Sequence, residues 1–299
     1  MSIISDDIDF VIGNHAGHPN GLVNFGNTCY ANSILQVMLT VSDTWAENIH
    51  LQNSRITTIF DQTLHQMRNE PTNRPIRPVE FVANLVNIMP EGFNPHVQQD
   101  ASEVFIQLLN ELSTSGFIEY GDFMITCRSV VQCVECRTQS VTSEDYNLLP
   151  VPVAISVQSS VEEFLLPEEF SEGEGWNCSS CNRQQGSFKT SVIESVPNIM
   201  LVNLKRFYQL ADGSYGKNSQ FVTINENIRV PTLEADTNLA ENVNYSLCGI
   251  INHSGVYGGG HYTADVLRNG QWYNCNDSVV SLMDKEFDQQ EAYVLVYRK

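Results

Sequence analysis

Residues 21–36 read GLVNFGNTCYANSILQ, and what this stretch becomes decides the fold. Its first half is rich in Gly and Asn, the residues of turns. From Asn27 onward Tyr30, Ile34, Val37, Met38 and Val41 recur at helical spacing. A loop therefore turns into a helix where Cys29 stands. The thiolate is the reactive form of cysteine, and the positive end of a helix lowers a thiol pKa. The free N–H groups there can also hold a developing oxyanion, and Asn24, just upstream, can add a side-chain amide donor. Gly26 lets the backbone approach a substrate closely. The competing reading is a buried structural cysteine, because free Cys is often a core residue.

Outward from this stretch, the first third of the chain reads as helical. Residues 1–20 are a polar lead-in. Ile56, Ile59, Phe60, Leu64 and Met67 mark a helix over roughly 54–69, stopped by PTNRPIRP at 71–78. Val79–Met89 is a further helix, ended by Pro90 and Gly92. Asp100–Leu112 is the clearest, with Ala101, Val104, Phe105, Leu108, Leu109 and Leu112 on one stripe and Asp100 able to cap its start. After Gly121 the pattern changes to strands: Phe123–Val131, Val141–Ile155, Ile199–Phe207, Tyr245–His253, His261–Arg268, Gln271–Cys275 and Ala292–Tyr297, with a short helix at Ser160–Leu165. PEEFSEGEGW at 167–176 reads as an acidic loop. Helices first and strands later predict an α+β fold with a helical lobe and a sheet lobe.

The strand region carries a base for the thiol. In GGGHYTADVLRNGQWYNCND at 258–277, His261 follows three glycines and starts a strand; Arg268-Asn269-Gly270 turns the chain back, so Asn276 and Asp277 come alongside the imidazole. A cysteine protease needs a histidine within reach of the sulfur and a partner that fixes the histidine's tautomer. The order Cys, His, Asn or Asp is that of papain-like proteases. His253 is the nearest rival, but the glycine run leaves His261 accessible.

CVEC at 133–136 and CSSC at 178–181 form two CxxC pairs. Each can give two thiolates to one tetrahedral zinc, so Cys133, Cys136, Cys178 and Cys181 predict a closed structural zinc site. A redox pair fits less well, since a thioredoxin-like CxxC comes singly after a βαβ start. Cys127, Cys248 and Cys275 lie in apolar strand contexts and read as core. The 299 residues carry a net charge of −19, from 35 acidic and 16 basic side chains. Such a surface repels phosphate backbones and excludes a general nucleic-acid binder. No run approaches the ~20 apolar residues that span a bilayer, and MSIISDDIDF has no basic n-region. A reducing, intracellular setting, cytoplasmic and/or nuclear, is expected, as is a monomer.

Several segments together resemble the ubiquitin-specific protease family. GLVNFGNTCYANSILQ is similar to its Cys box, and YSLCGIINHSGVYGGGHYTADV with WYNCNDSVV to its His box; QQDASEVFIQLL, LVNLKRF and AYVLVY match further segments in the expected order, from about Gly21 to Tyr297. The resemblance implies a papain-like cysteine protease with a helical thumb at about 21–120, zinc-tipped β fingers at about 121–200 and a β-sheet palm at about 200–299. It implies a thiol-dependent deubiquitinase that cleaves after the ubiquitin C-terminal glycine through a thioester. Cys29 attacks, His261 is the base, Asn276 orients it, Asn24 donates to the oxyanion and Asp277 assists or shares the orienting role. Asp100 and Glu103 match acidic positions that hold the basic ubiquitin tail. Gly258, Gly259 and Gly260 match a mobile loop that admits its Gly-Gly end. Departures from the pattern are Cys275 for a common Phe, Asp265 for a frequent aromatic, Val104 for a common Phe, and Asn rather than Asp as third residue. None removes a catalytic group. A non-catalytic ubiquitin-binding scaffold and a protease for another ubiquitin-like modifier are the alternatives; a zinc hydrolase is the weakest, because four thiolates leave no open position on the metal.

Overall fold

The structure, a computed structural model, describes residues 18–44, 54–70, 74–174, 176–233 and 240–299. The lead-in expected at 1–20 lies outside these residues up to position 17. Among the described residues six α-helices run in chain order: α1 (Cys29–Val41), α2 (Arg55–Asn69), α3 (Val79–Asn84), α4 (Ala101–Thr114), α5 (Tyr120–Phe123) and α6 (Val157–Phe164). The strands are β1 (Ile125–Cys133), β2 (Gln139–Tyr146), β3 (Leu149–Val151), β4 (Glu168–Phe170), β5 (Asn177–Cys178), β6 (Arg183–Gln184), β7 (Ser187–Ser195) and β8 (Ile199–Leu204). They continue with β9 (Phe207–Gln209), β10 (Tyr215–Lys217), β11 (Asn227–Leu233), β12 (Ala240–Val256), β13 (Gly259–Arg268), β14 (Gln271–Asn276), β15 (Val279–Met283) and β16 (Ala292–Arg298). Among the described residues no helix is long and apolar enough to cross a membrane.

The main sheet runs β15-β14-β13-β12-β16-β8-β3, with β11 also pairing β12. Its two faces feed two cores. Leu201, Ile251 and Val294 point toward the helices, while Val202, Ile250 and Leu295 point to the opposite face and α6. That alternation is the period of two of a pleated strand. β16 is covered on both sides, and Ala292–Tyr297 is accordingly an unbroken buried run.

Helix α1 is buried all round except at Thr40. It lies between α2 and α4 on one side and β12, β13 and β14 on the other. A helix in that position has no solvent face, so its polar side chains must find partners. Ser33 donates to the Tyr30 carbonyl, and Gln36 donates to the Asn20 carbonyl at 2.6 Å. Ser54 and Asp100 cap α2 and α4 by accepting from Thr57 N–H and Ser102 N–H.

A second sheet, β2-β1-β7-β4, carries the hairpin β5-β6 at its far end. Three expectations change here. Val141–Ile155 is not one strand: β2 joins the second sheet and β3 joins the main sheet in parallel with β8. The break at Asn147–Leu148 lets one stretch of chain leave one sheet and enter the other, so positions 121–200 are divided between both sheets. The acidic stretch at 167–176 is not all loop, because Glu168–Phe170 pairs β7. A strand added at an edge needs only backbone partners, and its acidic side chains stay in solvent. Val79–Met89 holds one short α-helix followed by a 3-10 turn at Leu85–Asn87.

Candidate active site and metal centre

The loop before Cys29 is built by local hydrogen bonds. Asn24 Oδ1 accepts from Gly26 N–H at 2.9 Å and Thr28 N–H at 3.1 Å, and Phe25 N–H donates to Thr28 Oγ1. This is the Asx-type turn that Asn favours; Gly26 sits at φ +114°, a conformation open to glycine. The loop is fastened to the C-terminal half of the chain: Leu22 N–H donates to the Asp277 carbonyl, and a Cβ on Gly21 would meet the Ser278 carbonyl oxygen at 2.3 Å. Only glycine allows that approach.

Cys29 opens α1 and is 3 % exposed. Burial pushes its thiol above the ordinary cysteine range, with the Asp277 carboxylate adding to the rise, while the Tyr262, Tyr30 and Cys29 backbone N–H groups oppose it. The lowering expected from the helix start is thus outweighed by burial, and ionising this thiol calls for a base. Helix α1 packs against β13, and the backbone N–H of Tyr262, the residue after His261, is among the groups acting on the thiol. His261 Nε2 lies 2.8 Å from Asn276 Oδ1. An amide oxygen only accepts, so Nε2 carries the proton and Nδ1 is left as the basic nitrogen.

Asp277 occupies a different place from Asn276. Its Oδ2 is 3.8 Å from His261 Nε2 and accepts from Asn24 Nδ2 at 2.8 Å; its Oδ1 accepts from Asn32 Nδ2 at 2.8 Å. Asn276 is thus the direct partner of the imidazole, and the carboxylate aims the Asn24 amide. Asn32 is absent from the sequence-based set. Its signal was a polar side chain in a fully buried helix, one turn after Cys29.

A cleft of about 170 Å³ between the start of α4 and the β12–β13 turn is lined by Asp100, Glu103, Gly258 and Gly259, among others. Asp100 is held within the fold: Tyr293 OH donates to both its oxygens at 2.8–2.9 Å and Ser102 N–H to one. Glu103 is the exposed acid, its carboxyl raised by burial of its inner side and by Asp100. The three glycines are not one flexible loop. Gly259 and Gly260 pair with Val256 and Gly255 in the β12–β13 ladder, and Gly260 N–H donates to Gln98 Oε1 at 2.7 Å across the cleft. A Cβ on Gly260 would sit 2.1 Å from the Ser254 carbonyl oxygen and 2.6 Å from His253 Nε2, so close packing, not mobility, demands glycine there.

The rival His253 is buried beneath that strand. Burial, then Lys217, lowers its pKa from 6.5 to about 4. It is neutral in the fold and takes no proton until well below the pH at which an unfolded histidine does. Stability contributed by this group is full above pH 6.5 and falls as pH drops toward 4, by up to about 3 kcal/mol. Chemical denaturation of His253→Gln between pH 4 and 7 should show a shallower pH slope than the parent; an unchanged slope would remove His253 as a source.

Cys133, Cys136, Cys178 and Cys181 place their sulfurs within 4.8 Å of one another. Cys133–Cys181 and Cys136–Cys178 are 4.0 and 3.4 Å apart, too far for disulfides. These values bracket the separation of about 3.8 Å that four Zn–S bonds of ~2.3 Å impose in a tetrahedron. Each second cysteine is followed by a left-handed residue, Arg137 at φ 63° and Asn182 at φ 53°, which curls each CxxC into a knuckle. Val134 N–H to the Gly186 carbonyl ties the two together. The cluster fits a metal ion.

The family model described as ubiquitin carboxyl-terminal hydrolase matches residues 20–297. Among curated relatives, the probable ubiquitin carboxyl-terminal hydrolase 4 of Schizosaccharomyces pombe is 25 % identical, over 94 % of this chain and 58 % of its own length. Ubiquitin carboxyl-terminal hydrolase 42 of Homo sapiens is 27 % identical, over 93 % of this chain and 22 % of its own. The chain thus spans from about a fifth to somewhat over half of these two relatives. Among solved structures, the SAGA Ubp8/Sgf11/Sus1/Sgf73 DUB module bound to ubiquitin aldehyde aligns with a TM-score of 0.77 at 25 % identity, covering 93 % of this chain and 69 % of the other. With a family model spanning nearly its whole length, and the imidazole and its amide partner brought together on neighbouring strands, the chain belongs to the ubiquitin carboxyl-terminal hydrolase family.

Proposed function

We propose that this chain is a thiol-dependent deubiquitinase that hydrolyses the peptide or isopeptide bond after the C-terminal glycine of ubiquitin. The observation that carries the reading is Cys29 at the start of α1, a helix packed against β13, the strand on which His261 is held by Asn276. His261 Nδ1 takes the thiol proton, and the thiolate attacks the scissile carbonyl. The Cys29 N–H at the helix start and the Asn24 amide, aimed by Asp277, stabilise the oxyanion. His261 returns its proton to the leaving amine, and water then cleaves the thioester. Asp100 and Glu103 face the basic tail electrostatically, while Gly258, Gly259 and Gly260 leave the cleft narrow enough for a side-chain-free terminus.

The four cysteines hold structural zinc in this reading, which supplies four strong bonds between the knuckles and no chemistry at the thiol. The eight free cysteines fit a reducing, intracellular compartment, cytoplasmic and/or nuclear. Ubiquitin and ubiquitin-conjugated proteins are the partners, and a single copy carries every group named. The test is intact-mass analysis after incubation with a ubiquitin C-terminal electrophile, beside probes of other ubiquitin-like modifiers. One ubiquitin adduct mapped to Cys29 is expected. Binding without an adduct would point to a scaffold, and preferential labelling by another modifier to a different specificity.

A further inference from the structure

At the other end of α1 from the thiol, a cavity of about 590 Å³ opens between the last turns of α1 and α2 and the ends of β13 and β16. Its wall carries Arg68, Arg268 and Arg298 against a single carboxylate, Asp43. The chain has 35 acidic and 16 basic residues, yet among the described residues none of these three guanidinium groups forms an ion pair.

Two arginines, Arg206 fully buried and Arg268 partly so, show the contrast. The Arg206 guanidinium is satisfied by four backbone carbonyls, those of Ala292, Asn218, Gln220 and Gln289. Burial lowers Arg268 strongly, to about 10, but its guanidinium donates to one acceptor, the Gln36 carbonyl at 2.9 Å. A guanidinium has five N–H donors, and Arg268 lines the cavity with one of them assigned a partner among the described residues. Helix-end carbonyls do not explain the cluster. The end of α2 is capped by Asn20, whose amide donates to the Met67 and Glu70 carbonyls, and the Leu39 carbonyl of α1 is taken by Ser42.

We propose that this cavity binds a multiply charged phosphate group carried by a small molecule of polyphosphate size. Guanidinium forks match phosphate oxygens two at a time. The volume lies within the ~300–1,000 Å³ of small-ligand pockets. Arg68 and Arg298 are exposed and reachable, while Arg268 lies deeper. The acidic surface elsewhere repels a nucleic-acid backbone, which restricts the ligand to something that fits inside. The site is independent of the hydrolase reading.

The test is calorimetric titration of the full chain with sodium tripolyphosphate at near-physiological salt, paired with thermal unfolding. One-site binding and a ligand-dependent rise in Tm are expected. The double variant Arg68→Gln/Arg298→Gln loses no side-chain hydrogen bond or ion pair among the described residues, so its ligand-free Tm should match the parent while its affinity falls by about tenfold or more. Absence of binding to the parent, or binding that the double variant leaves intact, would overturn the proposal.

Discussion

Cys29→Ala is expected to lower turnover of a ubiquitin C-terminal fluorogenic amide by about 10⁴-fold or more, the scale on which nucleophile removal acts in triad enzymes. Ubiquitin affinity should stay within a few-fold, because the side chain is almost entirely buried and only the sulfur is lost. Residual turnover within about tenfold of the parent would sink the assignment. The two neighbouring residues should then separate by mechanism. Asn276→Ala removes the acceptor that fixes the His261 tautomer and should lower kcat by itself. Asp277→Ala instead frees Asn24 and Asn32, and its cost should resemble that of Asn24→Ala, about 10²–10³-fold for one oxyanion donor. The double variant Asn24→Ala/Asp277→Ala should be scarcely worse than either alone, because both remove the same interaction. Full additivity would mean that Asp277 acts on the imidazole directly.

The second large effect concerns the four-cysteine cluster. The parent is expected to retain about one zinc per chain through purification, and Cys178→Ser to retain little, as read by elemental analysis. Cys178 is buried at the start of the β5-β6 hairpin, a two-stranded unit of two residues per strand. So short a hairpin cannot hold its shape through backbone bonds alone. Metal binding at such sites contributes on the order of 10 kcal/mol in isolated zinc-finger peptides, enough to fold the tip outright. Chelation or Cys178→Ser should therefore expose the knuckles at 133–138 and 177–186 to limited proteolysis and lower Tm. A variant that keeps stoichiometric zinc, or a parent that binds none and resists proteolysis equally, would refute the metal reading.

Much of the site was readable as short local pattern. The stripe from Tyr30 to Val41 announced α1 and put Cys29 at its start; the glycine run and the Asn269-Gly270 turn announced β13 and β14 and put Asn276 near His261. The paired CxxC spacing announced the knuckles. Other features left no such trace. β7 and β15 were not singled out, and a stretch read as one strand from Val141 to Ile155 serves two sheets. Glu168–Phe170 is a strand because β7 offers an open edge, a fact about a segment twenty residues away in sequence.

What the sequence determined alone, then, was the set of elements and the chemical inventory, because helix and strand periods, turn residues and ligand spacings are written within a few neighbouring positions. The tertiary structure decided which atoms meet. It gave Asn276 to the imidazole and Asp277 to two asparagines, put His253 under Gly260, and set three arginines around one cavity with no ion pair among the described residues. Such pairings depend on distances between segments that no local pattern encodes: hydrogen bonds and ion pairs form within about 3–4 Å, and only the packed chain sets separations that small.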